Sequence, residues 1–259
     1  MNVVVLVKQV PDTWAERRLD ATDKTLDRAS VDVVMNEIDE YAVEEALRLK
    51  EEQGGEVTIL TMGPERAVET IRKALSMGAD KAVHLVDDAL KGSDAVQTSY
   101  ALQKALETVE YDLLLLGSEA TDSRMSIMAA LLAERTGRPQ LSGARKVTAD
   151  GGTVRIERQT DNGYDVVEAG TPAIVSVVEK INEPRYPSFK GIMAAKKKPL
   201  TTLTVADAGI ETDRVGLAAA PTQVVEFANK PPRQSGQIVK DEGDGGSKVA
   251  EFLASQKLV

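Results

Sequence analysis

The stretch Leu113-Leu114-Leu115-Leu116-Gly117-Ser118-Glu119-Ala120-Thr121-Asp122-Ser123-Arg124-Met125-Ser126 decides the reading of the fold. Its four leucines are the most hydrophobic strand signal in the chain, and they stop at Gly117. A run without polar alternation suits a strand buried on both faces. A polar turn follows, and a helix is predicted over 126–136. Strand, turn and helix in that order form half of a parallel crossover unit.

The same grammar runs back to the N-terminus. Residues 3–7 read as a first β-strand and not as a signal peptide, since a basic region, an apolar core and a small-residue cleavage site are all missing. Ile38, Ala42, Ala46 and Leu49 recur at helical spacing, and Gly54-Gly55 ends that helix. Residues 57–60 are the next strand. It runs into Gly63-Pro64, where the proline takes the first helical position. Val68, Ile71, Ala74 and Leu75 are the stripe of the helix that follows. Residues 82–86 read as a strand, and Leu102, Ala105, Leu106 and Val109 mark a helix. This alternation predicts an α/β fold, a mostly parallel sheet with helices on both faces.

Beyond Pro139 the pattern changes. Short strands at 146–148, 154–159, 164–168 and 173–178 are separated by turns such as Asp150-Gly151-Gly152 and Asp161-Asn162-Gly163. They predict an antiparallel extension of the sheet. From residue 201 the signals thin. Pro231-Pro232, Gly243 and Gly245-Gly246 punctuate a polar tail in which only 249–258 has helical character. The expected organisation is an α/β domain over 1–200 and an extended C-terminal arm over 201–259 that orders against a partner.

Composition narrows the function. The chain has 259 residues, 42% of them hydrophobic and 28% charged, which is the balance of a soluble globular protein. No apolar run approaches the roughly 20 residues of a membrane-spanning helix. Cysteine is absent and there is one histidine, so thiol catalysis, iron–sulfur clusters and multi-histidine metal centres are excluded. A net charge of −9 and 3% aromatic residues argue against nucleic acid as a partner.

The catalytic inventory is poor. A Ser-His-Asp arrangement would have to use His84, which sits inside a strand. Glu44, Glu45, Glu51 and Glu52 read as a solvated helix face paired with Arg48 and Lys50. There is no G-x-G-x-x-G after the first strand, and Gly243-Asp244-Gly245-Gly246-Ser247-Lys248 lacks the spacing of a phosphate loop. Parallel sheets nevertheless bind ligands beyond the carboxyl ends of their strands. The ends after Val7, Leu60 and Leu116 are the candidates, and the third leads into a helix N-terminus that favours a phosphate. Ordinary capping by Asp122, Ser123 or Ser126 explains the same residues. In the most unusual segment, 181–199, Phe189, Ile192 and Met193 stand in a basic frame that includes Lys196, Lys197 and Lys198. It reads either as a docking surface or as apolar residues folded back on the core among solvated lysines.

Here the sequence resembles a known family. Asn182-Glu183-Pro184-Arg185-Tyr186, followed by Gly191-Ile192-Met193-Ala194-Ala195-Lys196-Lys197-Lys198, is similar to the signature of the electron transfer flavoprotein β subunit. Val7-Lys8-Gln9-Val10-Pro11-Asp12-Thr13, residues 42–50, Ala74-Leu75-Ser76-Met77-Gly78-Ala79-Asp80, Pro139-Gln140 and residues 168–176 resemble it too. The resemblance covers nearly the whole chain.

It implies a cytoplasmic electron carrier, not an enzyme. The chain would pair with an α subunit that holds most of a redox-active FAD. It would itself bind AMP in a structural role, as a protein whose chemistry is its cofactor's. Electrons would arrive from acyl-CoA dehydrogenases and leave to a membrane quinone oxidoreductase. The resemblance places Leu6 at the adenine. Asn36, Glu37, Ile38, Asp39 and Met62 would line base and ribose. Gly117, Ala120, Asp122, Ser123, Arg124, Met125, Ser126, Ile127 and Met128 would wrap ribose and phosphate. A recognition loop over 182–198 would dock dehydrogenases through Arg185, Tyr186, Phe189, Ile192, Met193, Lys196 and Lys197. Two positions depart from the family. The phosphate turn, usually rich in Gly, Asp, Gln and Thr, has Ile127 and Met128, which offer no side-chain hydrogen bond. It also lacks the Asp-Gly-Asp-Thr pattern of the branch that carries a second FAD. Gln159 stands where the family often has a Glu that tethers the flavin domain through an arginine of the α subunit. The competing readings are a stand-alone adenine-nucleotide sensor of similar fold and, less well supported, a nucleotide hydrolase.

Overall fold

The structure, a computed structural model, describes residues 1–232, 236 and 238–259. Apolar runs become strands and amphipathic runs become helices in the order Val3–Leu6 (β1), Gln9–Pro11 (β2), Val33–Met35 (β3), Glu37–Gln53 (α1), Val57–Met62 (β4), Val68–Met77 (α2), Lys81–Leu85 (β5), Ala95–Leu106 (α3) and Leu113–Gly117 (β6). Met128–Thr136 (α4), Gln140–Asp150 (β7), Thr153–Thr160 (β8), Gly163–Gly170 (β9), Ala173–Val177 (β10), Phe189–Ala195 (α5), Leu200–Leu203 (β11) and Gly245–Ser255 (α6) follow.

Nine strands form one sheet in the order β11-β5-β4-β1-β6-β10-β7-β8-β9, parallel from β11 to β7 and antiparallel across β7-β8-β9. Alternate residues of each strand enter opposite layers, as the two-residue strand period requires. Val3 and Val5 join α1 and α2 on one face, while Val4 and Leu6 join α3 and α4 on the other. All four leucines of β6 are buried. The chain leaves β1 toward β4 and β5, then returns through α3 to β6 on the other side of β1. The reversal lies between β1 and β6, where doubly wound sheets hold ligands.

Several expectations change. The helix predicted over 126–136 begins at Met128, because Arg124 and Ser126 take left-handed backbone with φ of 49° and 54°. The strand predicted over 173–178 is no part of the antiparallel extension: β10 runs parallel to both β6 and β7. The antiparallel β2–β3 ribbon was not foreseen. The loop between its strands carries Trp14, which is 97% exposed. Beyond residue 200 the chain still contributes to the sheet. β11 pairs with β5, and Val205, Ala208, Ile210 and Val215 are buried in the second layer. Compactness divides the chain into Met1–Val225 and Glu226–Val259. The second unit contains α6, which starts earlier than the expected 249–258, and none of its described residues is buried. Among the described residues no helix is long and apolar enough to cross a membrane.

A segment without buried side chains has little to resist local opening. Limited trypsin digestion of the isolated chain should therefore remove residues beyond Val225 first and leave a fragment ending near that point. Mass spectrometry reads the cut sites, and equal resistance of both units would contradict this.

Candidate functional site

The loops after β1 and β6 are joined by the first turn of α1. Asn36 precedes the helix but does not cap it with its side chain. Instead its Nδ2 donates to Asp39 Oδ1 at 2.9 Å and to the Glu119 carbonyl at 2.9 Å, and its Oδ1 accepts from the Thr121 N–H at 3.0 Å. Asp39 Oδ2 accepts from the Lys8 N–H at 2.8 Å, and Oδ1 also accepts from the Gly117 N–H at 3.3 Å. One buried amide and one buried carboxyl thus hold both strand ends. Burial pushes the Asp39 carboxyl up to about 7, against the pull of its hydrogen bonds from Asn36, Lys8 and Gly117. Gly117 is required by close approach: a Cβ there would lie 2.5 Å from Asp39 Oδ1.

A second cluster lies beside the first. Asp122 is buried between Lys8 Nζ at 2.7 Å and Arg28 Nη2 at 2.6 Å. Burial alone would raise its carboxyl, but the two cations outweigh it and hold it below the ordinary range. Arg28 comes from the loop between β2 and β3 and also donates to the Gln9 carbonyl, so the ion pair fastens that loop to the strand ends.

The structure brings Asn36, Asp39 and Gly117 into one network with the backbones of Glu119 and Thr121. Lys8, Arg28 and Glu119 are the members that the sequence did not single out. Ser123 and Arg124 both donate backbone N–H groups to the Ala120 carbonyl. Among the described residues, the N–H groups of Met125, Ser126, Ile127 and Met128 donate to no protein acceptor. Thr121 Oγ1 is buried without a partner. Leu6 is buried and Met62 half-buried at adjacent strand ends, where both pack with the layer of α3 and α4. Ile38 lies against Gly117, and Glu37 is exposed. His84 is structural: it is buried, and its Nε2 lies 3.1 Å from the Gly63 carbonyl. Among the described residues no cluster of acidic and histidine side chains could hold a metal ion.

Residues 182–198 are built on the same helix, α1. Arg185 forks onto Glu44 at 2.7 and 3.0 Å and also reaches Glu51. Asn182 Nδ2 donates to Glu45 at 3.0 Å. Glu44 and Glu45 are therefore buried, which corrects the reading of them as solvated, and burial raises the Glu45 carboxyl. Lys50 pairs with Asp80, while Arg48 does approach Glu45. The segment then forms α5, whose Gly191 sits so close to α2 that a Cβ would meet the Ser76 carbonyl at 2.4 Å. Lys198 turns inward onto the Leu75 and Ala79 carbonyls. Tyr186, Phe189, Ile192 and Met193 remain exposed, Phe189 by 80%, next to exposed Lys196 and Lys197. They do not fold back on the core. Gln159, on β8, is partly buried and its Oε1 has no partner. A cleft of about 1050 Å³ lies away from the strand ends, between α1, the β7–β8 hairpin and residues 179–183.

Fold and site define an α/β domain with a buried polar network at the switch point of a doubly wound sheet, the place where such sheets bind ligands. The electron transfer flavoprotein domain model matches residues 23–208. Over the whole chain and 99% of the relative, the sequence is 53% identical to an electron transfer flavoprotein subunit beta of Mycobacterium leprae. It is 35% identical to that subunit of Megasphaera elsdenii over the full length of both. It is also 35% identical, over 99% of this chain and 97% of the relative, to a caffeyl-CoA reductase-Etf complex subunit, CarD, of Acetobacterium woodii. The chain belongs to the electron transfer flavoprotein β-subunit family, and its role is that of an electron-transfer subunit.

Asp39 gives the site a pH dependence. A carboxyl raised from its unfolded value to about 7 binds its proton more tightly in the folded state. Its stabilising contribution is complete below about pH 4 and is lost as pH rises through 7. Asp39→Asn should flatten the fall in melting temperature between pH 6 and 8. The cost at pH 6 should be about 1–3 kcal/mol, because the new amide sets a donor against the Lys8 N–H. The His84 contribution persists in that variant and runs the other way: burial lowers its pKa, so acid destabilises the fold. An unchanged slope above pH 6 would remove Asp39 as its source.

Proposed function

We infer that the chain is the β subunit of a cytoplasmic heterodimeric electron transfer flavoprotein whose α subunit holds most of the FAD. Flavin chemistry supplies the redox step. This chain's residues bind, orient and dock. It accepts electrons from flavoprotein dehydrogenases such as acyl-CoA dehydrogenases, and the complex delivers them to a membrane quinone oxidoreductase. The relative from Acetobacterium woodii, named for a caffeyl-CoA reductase complex, adds CoA-linked reductases to the class of partner.

The observation that carries this reading is the apolar face of α5. Phe189, Ile192 and Met193 stand exposed within a lysine frame, on a segment that Arg185 clamps to α1. An anchor held rigid before encounter loses less entropy on docking than one on a free loop. Arg185 contributes by holding the segment, since its guanidinium is already shared between two carboxylates. Tyr186 adds apolar area beside the anchor.

AMP fits the strand ends. The free N–H groups of residues 125–128, the Ser126 hydroxyl and the Arg124 guanidinium would hold its phosphate, and the buried, unpartnered Thr121 hydroxyl fits a polar ligand. Met62, Ile38 and Leu6 would flank the base. Asp122, committed to Lys8 and Arg28, would shape the pocket and not grip the ligand. A stand-alone nucleotide sensor would need no such docking face.

Gln159 is the contact to the flavin domain. Its Oε1 is an unpartnered acceptor, shielded within this chain, that would have to turn outward to meet an arginine, and a neutral amide bonds an arginine more weakly than a carboxylate does. Gln159→Glu should therefore make the heterodimer more compact in small-angle X-ray scattering. An unchanged radius of gyration would remove the contact.

Docking has its own test. In the purified heterodimer, Phe189→Ala or Met193→Ala should slow reduction by an acyl-CoA dehydrogenase with flavin content unchanged. A central anchor worth about 2 kcal/mol corresponds to about a 30-fold loss. Wild-type rates in both variants would remove α5 from the interface.

A further inference from the structure

The turn that leads into α4 contains its own anion. Glu119 lies two residues beyond β6, and its carbonyl is fixed by the Asn36 amide at 2.9 Å. From that fixed backbone its side chain reaches across the turn. Oε2 accepts from the Ser126 hydroxyl at 3.2 Å, and Oε1 lies 3.6 Å from Arg124 Nη1. Both partners sit on left-handed backbone, where a non-glycine residue is strained. The strained turn thus presents a hydroxyl, a guanidinium and a row of free N–H groups to one side chain of the same loop. These are the groups that a nucleotide phosphate would need.

Charge sharpens the conflict. Within the turn Arg124 is balanced by Glu119. Asp122 is paired with both Lys8 and Arg28, and the Asp39 carboxyl lies against Lys8 as well, so little positive charge nearby is left uncommitted. A phosphate carrying up to two negative charges must either displace the Glu119 carboxylate or lie against it. The adenosine part of the ligand meets neither difficulty, since Leu6 and Met62 approach from the other strand ends and Ile38 from the first turn of α1.

We propose that Glu119 is an intramolecular competitor for the phosphate subsite and sets how strongly this chain prefers AMP over adenosine. The proposal rests on the adenine-nucleotide reading of the strand ends. In that reading the loop is self-sealed: the carboxylate holds the turn closed when no phosphate is present and lowers the gain from adding one.

The test uses the complete heterodimer, stripped of bound nucleotide and refolded with FAD, and calorimetric titration with AMP and with adenosine. Glu119→Gln keeps the shape and removes the charge. AMP affinity should rise about tenfold while adenosine affinity stays within about twofold, and added salt should narrow the difference. Glu119→Asp keeps the charge but retracts it by one methylene, so its AMP affinity should fall between the two. Unchanged AMP affinity in both variants, or an equal gain for both ligands, would overturn the proposal and leave the nucleotide site standing. Failure of every protein to bind either ligand would overturn the nucleotide reading itself, and this assignment with it.

Discussion

The fold's critical constraint is the reach of one short carboxylate. Asp39 must accept from backbone at the ends of the two strands that flank the switch point, from Lys8 just beyond β1 and from Gly117 of β6. That holds only if the first turn of α1 presses onto the end of β6, which is why position 117 has no side chain. Asn36 extends the grip to Glu119 and Thr121. Two buried side chains, bonded to each other and to backbone beyond both strands, thus hold the segments after β1 and β6 against the start of α1. A buried carboxyl is costly to ionise, and its partners are mainly donors that reduce the cost without removing it.

Helix α1 is used twice. Its first turn joins the two strand ends, and its later turns carry Glu44, Glu45 and Glu51, which fasten residues 182–185. The proposed nucleotide turn and the segment that leads into the proposed docking face are therefore both fastened to one helix. This gives a structural nucleotide something to be structural for: whatever steadies the start of α1 also steadies the platform under α5.

The alternation that carried the architecture was plain in the sequence, because β1 and β6 are short apolar runs without polar alternation and their burial follows from composition alone. What stayed hidden depends on partners distant in sequence. The β2–β3 ribbon consists of two three-residue strands whose pairing spans a loop without a turn signal. Glu44 and Glu45 look solvated on a helical wheel, and only Arg185 and Asn182, far along the chain, make their burial tolerable. β11 has an apolar residue at each end and threonines between, too faint a pattern until β5 is known to lie alongside. At the candidate site Asn36, Asp39 and Gly117, which the family resemblance had grouped, are neighbours in one hydrogen-bonded network. Lys8, Arg28 and Glu119 were passed over because a lone charge in a loop carries no local signal of what it pairs with.

The exposed loop between β2 and β3 has a spectroscopic consequence. The chain has one tryptophan, and it is Trp14 on that loop, while Tyr100 and Tyr111 lie buried in the sheet's second layer. Indole emission from this chain therefore comes from a ring already in water. Melting the sheet will leave its wavelength almost unchanged, and only a surface that covers the loop will move it to the blue. Tryptophan fluorescence is thus a built-in reporter of association and a poor reporter of unfolding, for which circular dichroism is the proper signal.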